Sequence, residues 1–193
     1  LSILPAVPEK TTKAMSRKRV HDKDFEIYIP QDQIERSIRT MAEHINRDYA
    51  GRNPLFLVVL NGAFMFAAEL MKSIEIECEI SFVKLSSYKG TASTHIVREL
   101  IGLDHSVAGR NVILLEDIVD SGLTILFAIE KLKKLEAADV KVATLLFKPK
   151  AFQYTYDIDY VGMEIPNDFI IGYGLDYNEH GRNLPDIYRI VGT

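Results

Sequence analysis

Three short apolar runs, each closed by a polar cluster, constrain this chain more than any other feature. Leu55, Phe56, Leu57, Val58, Val59 and Leu60 follow one another without a polar residue; Val112 to Leu115 and Val140 to Phe147 are nearly as apolar. Runs of this length without polar alternation are strands buried on both faces, which is the habit of parallel sheets covered by helices. Between the runs the period changes. In residues 31–49, Ile34, Ile38, Met41 and Ile45 fall on one helical face, and in residues 123–135 so do Ile125, Leu126, Ile129, Leu132 and Leu135. Residues 63–72 also read as helix and 79–85 as a further strand. Strand and helix in alternation predict an α/β fold with right-handed crossovers.

The remainder is less regular. Residues 86–98 are polar, rich in small hydroxyl side chains, and read as a long loop of the kind that closes over a site. After residue 150 come short β-like pieces at 160–162, 169–173 and 187–191, separated by Pro166, Gly174, Gly181 and Pro185. They predict a small accessory subdomain, or hood, rather than more of the main sheet. The reading is one domain over 1–193, with a core of about 31–160 and a hood from about 161–193 joined by N-terminal residues.

Composition narrows the function classes. A net charge of −4 gives no general attraction to a polyanion, and the basic stretch at 13–23, with Arg17, Lys18 and Arg19, reads as a solvated arm. No nucleic-acid partner is expected. The single cysteine, Cys78, excludes an intrachain disulfide and a multi-cysteine metal site. No apolar run approaches the ~20 residues that span a bilayer, and no secretory leader is legible. A cytoplasmic location without a membrane partner is the expectation.

In open α/β sheets ligands sit beyond the carboxyl ends of the strands. Polar clusters stand there at Asn61-Gly62, at residues 116–124 and at Lys148. The middle cluster carries most chemistry. Two adjacent carboxylates, Glu116 and Asp117, repel unless they meet a cation or accept hydroxyl hydrogen bonds, so vicinal ribose hydroxyls, a magnesium ion or both are suitable partners. Asp120, Ser121, Gly122, Leu123 and Thr124 then turn into a helix, whose N-terminus offers backbone N–H groups to a phosphate. Helix capping by Asp120 or Ser121 is the simpler account, but it explains one residue and leaves Glu116, Asp117 and Thr124 without a reason. Diol recognition beside phosphate recognition means a ribose 5-phosphate.

Residues 112–124, Val-Ile-Leu-Leu-Glu-Asp-Ile-Val-Asp-Ser-Gly-Leu-Thr, resemble the phosphoribosyl-pyrophosphate motif of the type I phosphoribosyltransferases, and within them the hypoxanthine-guanine enzymes. The resemblance runs in order through residues 60–62, 85–88, 140–148, 161–166 and 172–179. It implies a parallel-sheet core flanked by helices, with a small hood subdomain from the chain termini. It also implies purine salvage: transfer of the 5-phosphoribosyl group from phosphoribosyl pyrophosphate to N9 of a 6-oxopurine, hypoxanthine and guanine, giving IMP or GMP and pyrophosphate.

The resemblance assigns roles residue by residue. Glu116 and Asp117 hold the ribose hydroxyls and Mg²⁺; Asp120 is the general base facing the purine N7; Asp120, Ser121, Gly122, Leu123 and Thr124 cradle the 5-phosphate. Lys148 donates to the 6-oxo group, Phe169 stacks on the base and the Ile170 backbone meets its edge. Asp176 is a further magnesium ligand, Arg182 grips pyrophosphate with its planar fork, Asn61 and Gly62 form the pyrophosphate loop with a cis Leu60–Asn61 peptide, and Ser87 and Tyr88 belong to a lid. Two positions depart from many relatives, which carry lysine at Asn61 and, in some, at Asp168. A homodimer or homotetramer is implied. The competing reading is a regulatory module of the same fold that senses phosphoribosyl pyrophosphate or nucleotide. A receiver-like signalling domain is excluded, because no strand between the acidic pair and Lys148 ends in an aspartate.

Overall fold

The computed structural model describes residues 17–89, 95–101, 103 and 106–192, with the backbone alone at 86–89 and 95–101. β1 (Lys18–Val20) and β2 (Lys23–Ile29) form a hairpin that leads into α1 (Gln31–Asp48). Then follow β3 (Leu55–Leu60), α2 (Phe64–Met71), β4 (Glu79–Lys89), β5 (His95–Ile101), β6 (Asn111–Val119), α3 (Leu123–Lys134), β7 (Asp139–Phe147), β8 (Tyr160–Glu164), β9 (Ile170–Ile171) and β10 (Ile187–Ile190). The main sheet has the order β5-β4-β3-β6-β7-β8 and is parallel except for β5, which lies antiparallel to β4 at the edge. The hood sheet, β1-β2-β10-β9, is antiparallel.

The strand period of two explains why the main sheet is apolar on both faces. Along β3, Phe56 and Val58 join one apolar cluster while Leu55, Leu57 and Val59 join another. β6 divides in the same way, Ile113 and Leu115 against Val112 and Leu114. α1 lays Ile34, Ile38, Met41 and Ile45 on the first cluster, and α2 adds Phe66, Ala67 and Leu70. α3 closes the second with Ile125, Ala128, Ile129 and Leu132. Each such side chain contributes about 1.5–3 kcal/mol on burial, so the alternating apolar pattern drives the layering.

The connection order places the site. From β3 the chain crosses through α2 to β4 on one side, then returns to β6 on the other side of β3 and crosses through α3 to β7. The order reverses between β3 and β6, and their pairing ends at Val58 opposite Leu115. A crevice therefore opens beyond the carboxyl ends of these two strands.

Several expectations change. Residues 86–98 are not one long loop: β4 runs on to Lys89 and returns as β5, with Ser87 opposite Val97 and Tyr88 opposite Ile96. The β-branched residues Ile96, Val97 and Ile101 favour the returning strand. The pattern at 160–162 predicts a hood strand, whereas these residues begin β8, parallel to β7 with Tyr160 opposite Ala143. The expected core–hood boundary near residue 160 falls inside that strand. Of the basic stretch at 13–23, residues 17–23 form β1 and its turn into β2, and 13–16 lie outside the described residues.

The hood is fastened to the core by apolar and polar contacts. Ile165, Ile170, Tyr173 and Ile187 share the cluster that α1 covers, and Phe25, Ile171 and Tyr188 form a smaller cluster of their own. At the start of α1 the N-cap position is Pro30, which offers no capping oxygen from its side chain. Asp186, brought close because Ile187 pairs with Ile29, accepts a hydrogen bond from the Gln31 N–H at 2.9 Å. A carboxylate from the hood thus serves an amide at a helix start of the core.

Candidate active site

Three segments meet at the switch point with no room between them. The Leu60–Asn61 peptide is cis, as the resemblance implies. A side-chain carbon at Gly62 would fall on the Asp117 carboxylate, and one at Gly174, whose φ is +100°, would fall on the Gly62 carbonyl oxygen. Glycine at these positions is a requirement of backbone approach. The end of β3, the end of β6 and the hood turn at residue 174 are therefore packed against one another.

The acidic pair lies inside β6 rather than after it. β6 loses its β3 neighbour after Leu115 but keeps β7 as far as Val119 opposite Phe147. Glu116 and Asp117 thus stand where the sheet is paired on one side only. Asp117 is buried, and the Glu116 Oε2 atom is buried with no hydrogen-bond partner among the described residues. Burial first, and the charge of Asp117 second, push the Glu116 carboxyl well above the usual carboxylate range. Burial also raises Asp117, against the lowering effect of backbone N–H groups and of Arg182. Carboxylates held in this way are poised to take up a cation or hydroxyl donors.

The turn into α3 overturns the capping account. Its N-cap is Gly122, in the left-handed conformation at φ +90°, and no side chain caps the helix. The Leu123 N–H lies 3.5 Å from Ser121 Oγ, a long contact. The first turn has no acidic residue, and Lys131, Lys133 and Lys134 complement the far end. The amino end of α3 is left positive and open to an anion.

Asp120 points outward, with 57 % of its side chain exposed, and its Oδ2 lies 3.2 Å from the ammonium of Lys148, whose side chain is 10 % exposed. The Lys148 N–H donates to the Val119 carbonyl at 2.9 Å, so the ends of β6 and β7 are tied together where the pair forms. From the hood, Phe169 presents an exposed ring (46 %), with Phe25 tilted against it at 6.4 Å between centroids and Tyr177 nearly perpendicular to it at 5.7 Å. Phe169 is not core. Ile170 is, its side chain buried and its backbone opposite Arg189 in the hood sheet. Asp168 pairs with Arg189 at 3.6 Å.

Arg182 and Asp176 also come together. Arg182 Nη2 lies 2.8 Å from Asp176 Oδ1, and Nη1 donates to the Gly174 carbonyl at 2.8 Å. Asp176 Oδ2 accepts the Glu179 N–H. Asn61 is exposed beside the cis peptide. Ser87 and Tyr88 lie in the β4–β5 hairpin, and their side chains lie outside the described residues.

Sequence reasoning missed the segment 151–156, which packs behind the turn from β6 into α3. Gln153 N–H donates to the Ser121 carbonyl at 3.2 Å and the Tyr156 hydroxyl to the Gly122 carbonyl at 2.6 Å. The alternation of Phe152, Tyr154 and Tyr156 was the available signal. It also missed Gly174, whose signal was the Gly-Tyr-Gly spacing at 172–174.

Comparison with known proteins agrees with this geometry. The model of the phosphoribosyl transferase domain matches residues 27–178. The hypoxanthine-guanine phosphoribosyltransferase of Streptococcus thermophilus is 42 % identical over 166 residues, covering 85 % of this chain and 92 % of that protein. The bifunctional protein TilS/HprT of Listeria innocua is 41 % identical over 169 residues, 87 % of this chain; the chain spans 26 % of that longer relative. Among solved structures, a hypoxanthine-guanine phosphoribosyltransferase from Bacillus anthracis superposes with a TM-score of 0.79 at 38 % identity, covering 86 % of this chain and 96 % of that one. A hypoxanthine phosphoribosyltransferase from Staphylococcus aureus gives 0.82 at 31 %, covering 86 % and 91 %. With the family model matching most of the chain and relatives of this identity, the chain belongs to the phosphoribosyl transferase family.

Proposed function

We propose that this chain transfers the 5-phosphoribosyl group from phosphoribosyl pyrophosphate to N9 of a 6-oxopurine, hypoxanthine or guanine, releasing pyrophosphate and IMP or GMP. The observation that carries the reading is the pairing of Asp120 with Lys148 at the ends of adjacent strands, 3.2 Å apart, in a chain that also exposes the Phe169 ring. A 6-oxopurine needs a donor for its oxo group and a base for the ring proton, and the pair supplies both. A module that only sensed phosphoribosyl pyrophosphate has no use for them. The enzyme names of the relatives favour catalysis in the same way.

In this reading the turn 120–124 holds the 5-phosphate through backbone N–H groups of Ser121, Gly122, Leu123 and Thr124 and through hydroxyls. Glu116 and Asp117 accept from the ribose hydroxyls, and this relieves the burial that raises them. Arg182 grips pyrophosphate beside the backbone of Asn61 and Gly62, while Ile170 lends its backbone to the purine edge. The hairpin carrying Ser87 and Tyr88 closes as a lid and excludes water from the electron-poor anomeric carbon.

Among the described residues no three carboxylate, histidine or cysteine groups converge on one point. That suits Mg²⁺, which binds through one or two carboxylates and completes its octahedron with substrate oxygens and water. Glu116, with its unpartnered buried oxygen, and Asp117 would hold one such ion and Asp176 another; bound there, magnesium supplies charge neutralisation to the leaving pyrophosphate.

A homodimer or homotetramer is supported by an uncovered apolar face. Val83 of β4 turns to the α3 side, so Ile80 and Phe82 lie on the other face, where they are 40 % and 43 % exposed, as is Phe64 of α2 at 43 %. A cytoplasmic location suits the free Cys78. Turnover with phosphoribosyl pyrophosphate and magnesium against hypoxanthine, guanine, xanthine and adenine tests the whole reading: 6-oxopurines are consumed and adenine is not. No turnover with any of the four overturns it in favour of the sensor.

A further inference from the structure

The turn 121–123 has two carbonyls directed into the protein by one segment that belongs to neither β6 nor α3. The Ser121 carbonyl accepts the Gln153 N–H at 3.2 Å. The Gly122 carbonyl accepts the Tyr156 hydroxyl at 2.6 Å, in addition to the Leu126 N–H at 2.9 Å within the helix. In a planar trans peptide the C=O and the following N–H point in opposite directions. Fixing these two carbonyls therefore turns the N–H groups of Gly122 and Leu123 the other way, away from the 151–156 segment, with only the long 3.5 Å contact to Ser121 Oγ before the Leu123 N–H.

The rings enforce the same geometry. A side-chain carbon at Gly122 would lie 2.6 Å from both the Phe152 ring and the Tyr156 hydroxyl, so the turn is pressed against this wall at its Cα. Tyr156 is itself fixed, edge-on to Phe152 at 5.0 Å and stacked with Tyr154 at 6.2 Å. Burial, with the nearby Glu116 carboxylate, raises the Tyr156 phenol above its ordinary range, so it remains a donor at any working pH.

We propose that Tyr156 is a positioning residue for the phosphate turn: its hydroxyl anchors the Gly122 carbonyl and so aims the backbone N–H groups of residues 122 and 123 at the 5-phosphate. The inference rests on the reading of 120–124 as the phosphate site and deepens it. It supplies what a side-chain cap would otherwise supply, a fixed first turn, while leaving the helix amino end free for the anion.

The test compares Tyr156→Phe, which keeps the ring and removes the hydroxyl, with Thr124→Ala, which removes a hydroxyl from the turn itself. The readouts are KM for phosphoribosyl pyrophosphate, Kd for ribose 5-phosphate, KM for the purine, and the melting temperature. Losing one hydrogen bond in Tyr156→Phe raises the first two about three- to tenfold, with purine KM unchanged. If Thr124→Ala weakens ribose 5-phosphate and Tyr156→Phe does not, Tyr156 has no positioning role and the phosphate reading stands. If Thr124→Ala leaves ribose 5-phosphate binding at the wild-type value, the phosphate reading itself fails and the inference with it. An equal rise in purine KM for Tyr156→Phe also overturns the inference, since it reports general loosening rather than aim.

Discussion

Lys148 Nζ lies 3.2 Å from Asp120 Oδ2, so the two side chains to which the proposed reaction gives opposite tasks hold each other in the ligand-free protein. The lysine is the buried partner and the aspartate the exposed one. Their substitution should therefore have different consequences.

Asp120→Asn removes the proposed base and keeps the shape. Turnover should fall about 10²- to 10⁴-fold, the usual range for a general base, with KM for phosphoribosyl pyrophosphate little changed. Because the side chain does not cap α3, Asp120→Ala should melt within a degree or two of the wild type and serve as an equally clean test. Steady-state kinetics with unchanged turnover would remove Asp120 from the mechanism.

Lys148→Met fills the buried path of the lysine stem and removes the proposed donor to the 6-oxo group. Purine KM should rise about tenfold or more, as expected for a charged hydrogen bond, and discrimination against adenine should narrow. Since Asp120 is exposed, leaving it unpaired should cost little stability. Competition between hypoxanthine and adenine measures the change in preference.

The raised carboxyls of Glu116 and Asp117 make a pH prediction. A carboxyl whose pKa is higher folded than unfolded stabilises the fold in its protonated form, and that contribution is lost as pH rises through the folded value. The ligand-free protein without divalent ion should therefore melt at lower temperature as pH goes from the acid side of that range to neutral. Glu116→Gln should flatten the slope. Melting curves against pH for the two proteins decide it, and a slope equal in both would show that Glu116 is not its source.

Gly174→Ala and Gly51→Ala separate two costs. Both positions have positive φ, but nothing stands within 4 Å of a side-chain carbon at 51, whereas at 174 it meets the Gly62 carbonyl. Gly51→Ala should cost about 1–2 kcal/mol from conformation alone. Gly174→Ala should cost more and should also lower activity, since it displaces the loop at Asn61-Gly62. Chemical denaturation beside an activity assay measures both.

Phe82→Glu places a charge on the uncovered face of β4. Sedimentation should show a smaller species than the wild type. A wild-type monomer would sink the assembly reading.

The core was legible where residue type alone decides the outcome. Leu55 to Leu60 have no polar face to turn to water, so they had to become an inner strand, and the strand-end positions of Asn61-Gly62 and Lys148 followed; Glu116 and Asp117 instead stand inside β6, beyond the end of its pairing with β3. The rest depends on partners distant in sequence. Tyr160 and Val161 join the main sheet because β7 offers an open edge, which no local pattern reports. Asp120 has an excellent capping side chain, yet the contact of Gly122 with Phe152 and Tyr156 gives the N-cap to glycine. Phe169 had equal reason to be core or exposed, and its place in the hood beside Phe25 and Tyr177 leaves it exposed.

The bond from the Gln31 N–H to Asp186 reaches beyond helix termination. The carboxylate belongs to the strand pair that organises the hood, and the amide to the helix that covers the main sheet, so neither can fray without the other losing a partner. In hydrogen-exchange terms the first turn of α1 and the amides of β2 and β10 should behave as one cooperative unit, protected together and released together. Opening of the hood would then cost stability in the core, because the first turn of α1 loses its hydrogen-bond partner whenever β10 moves away.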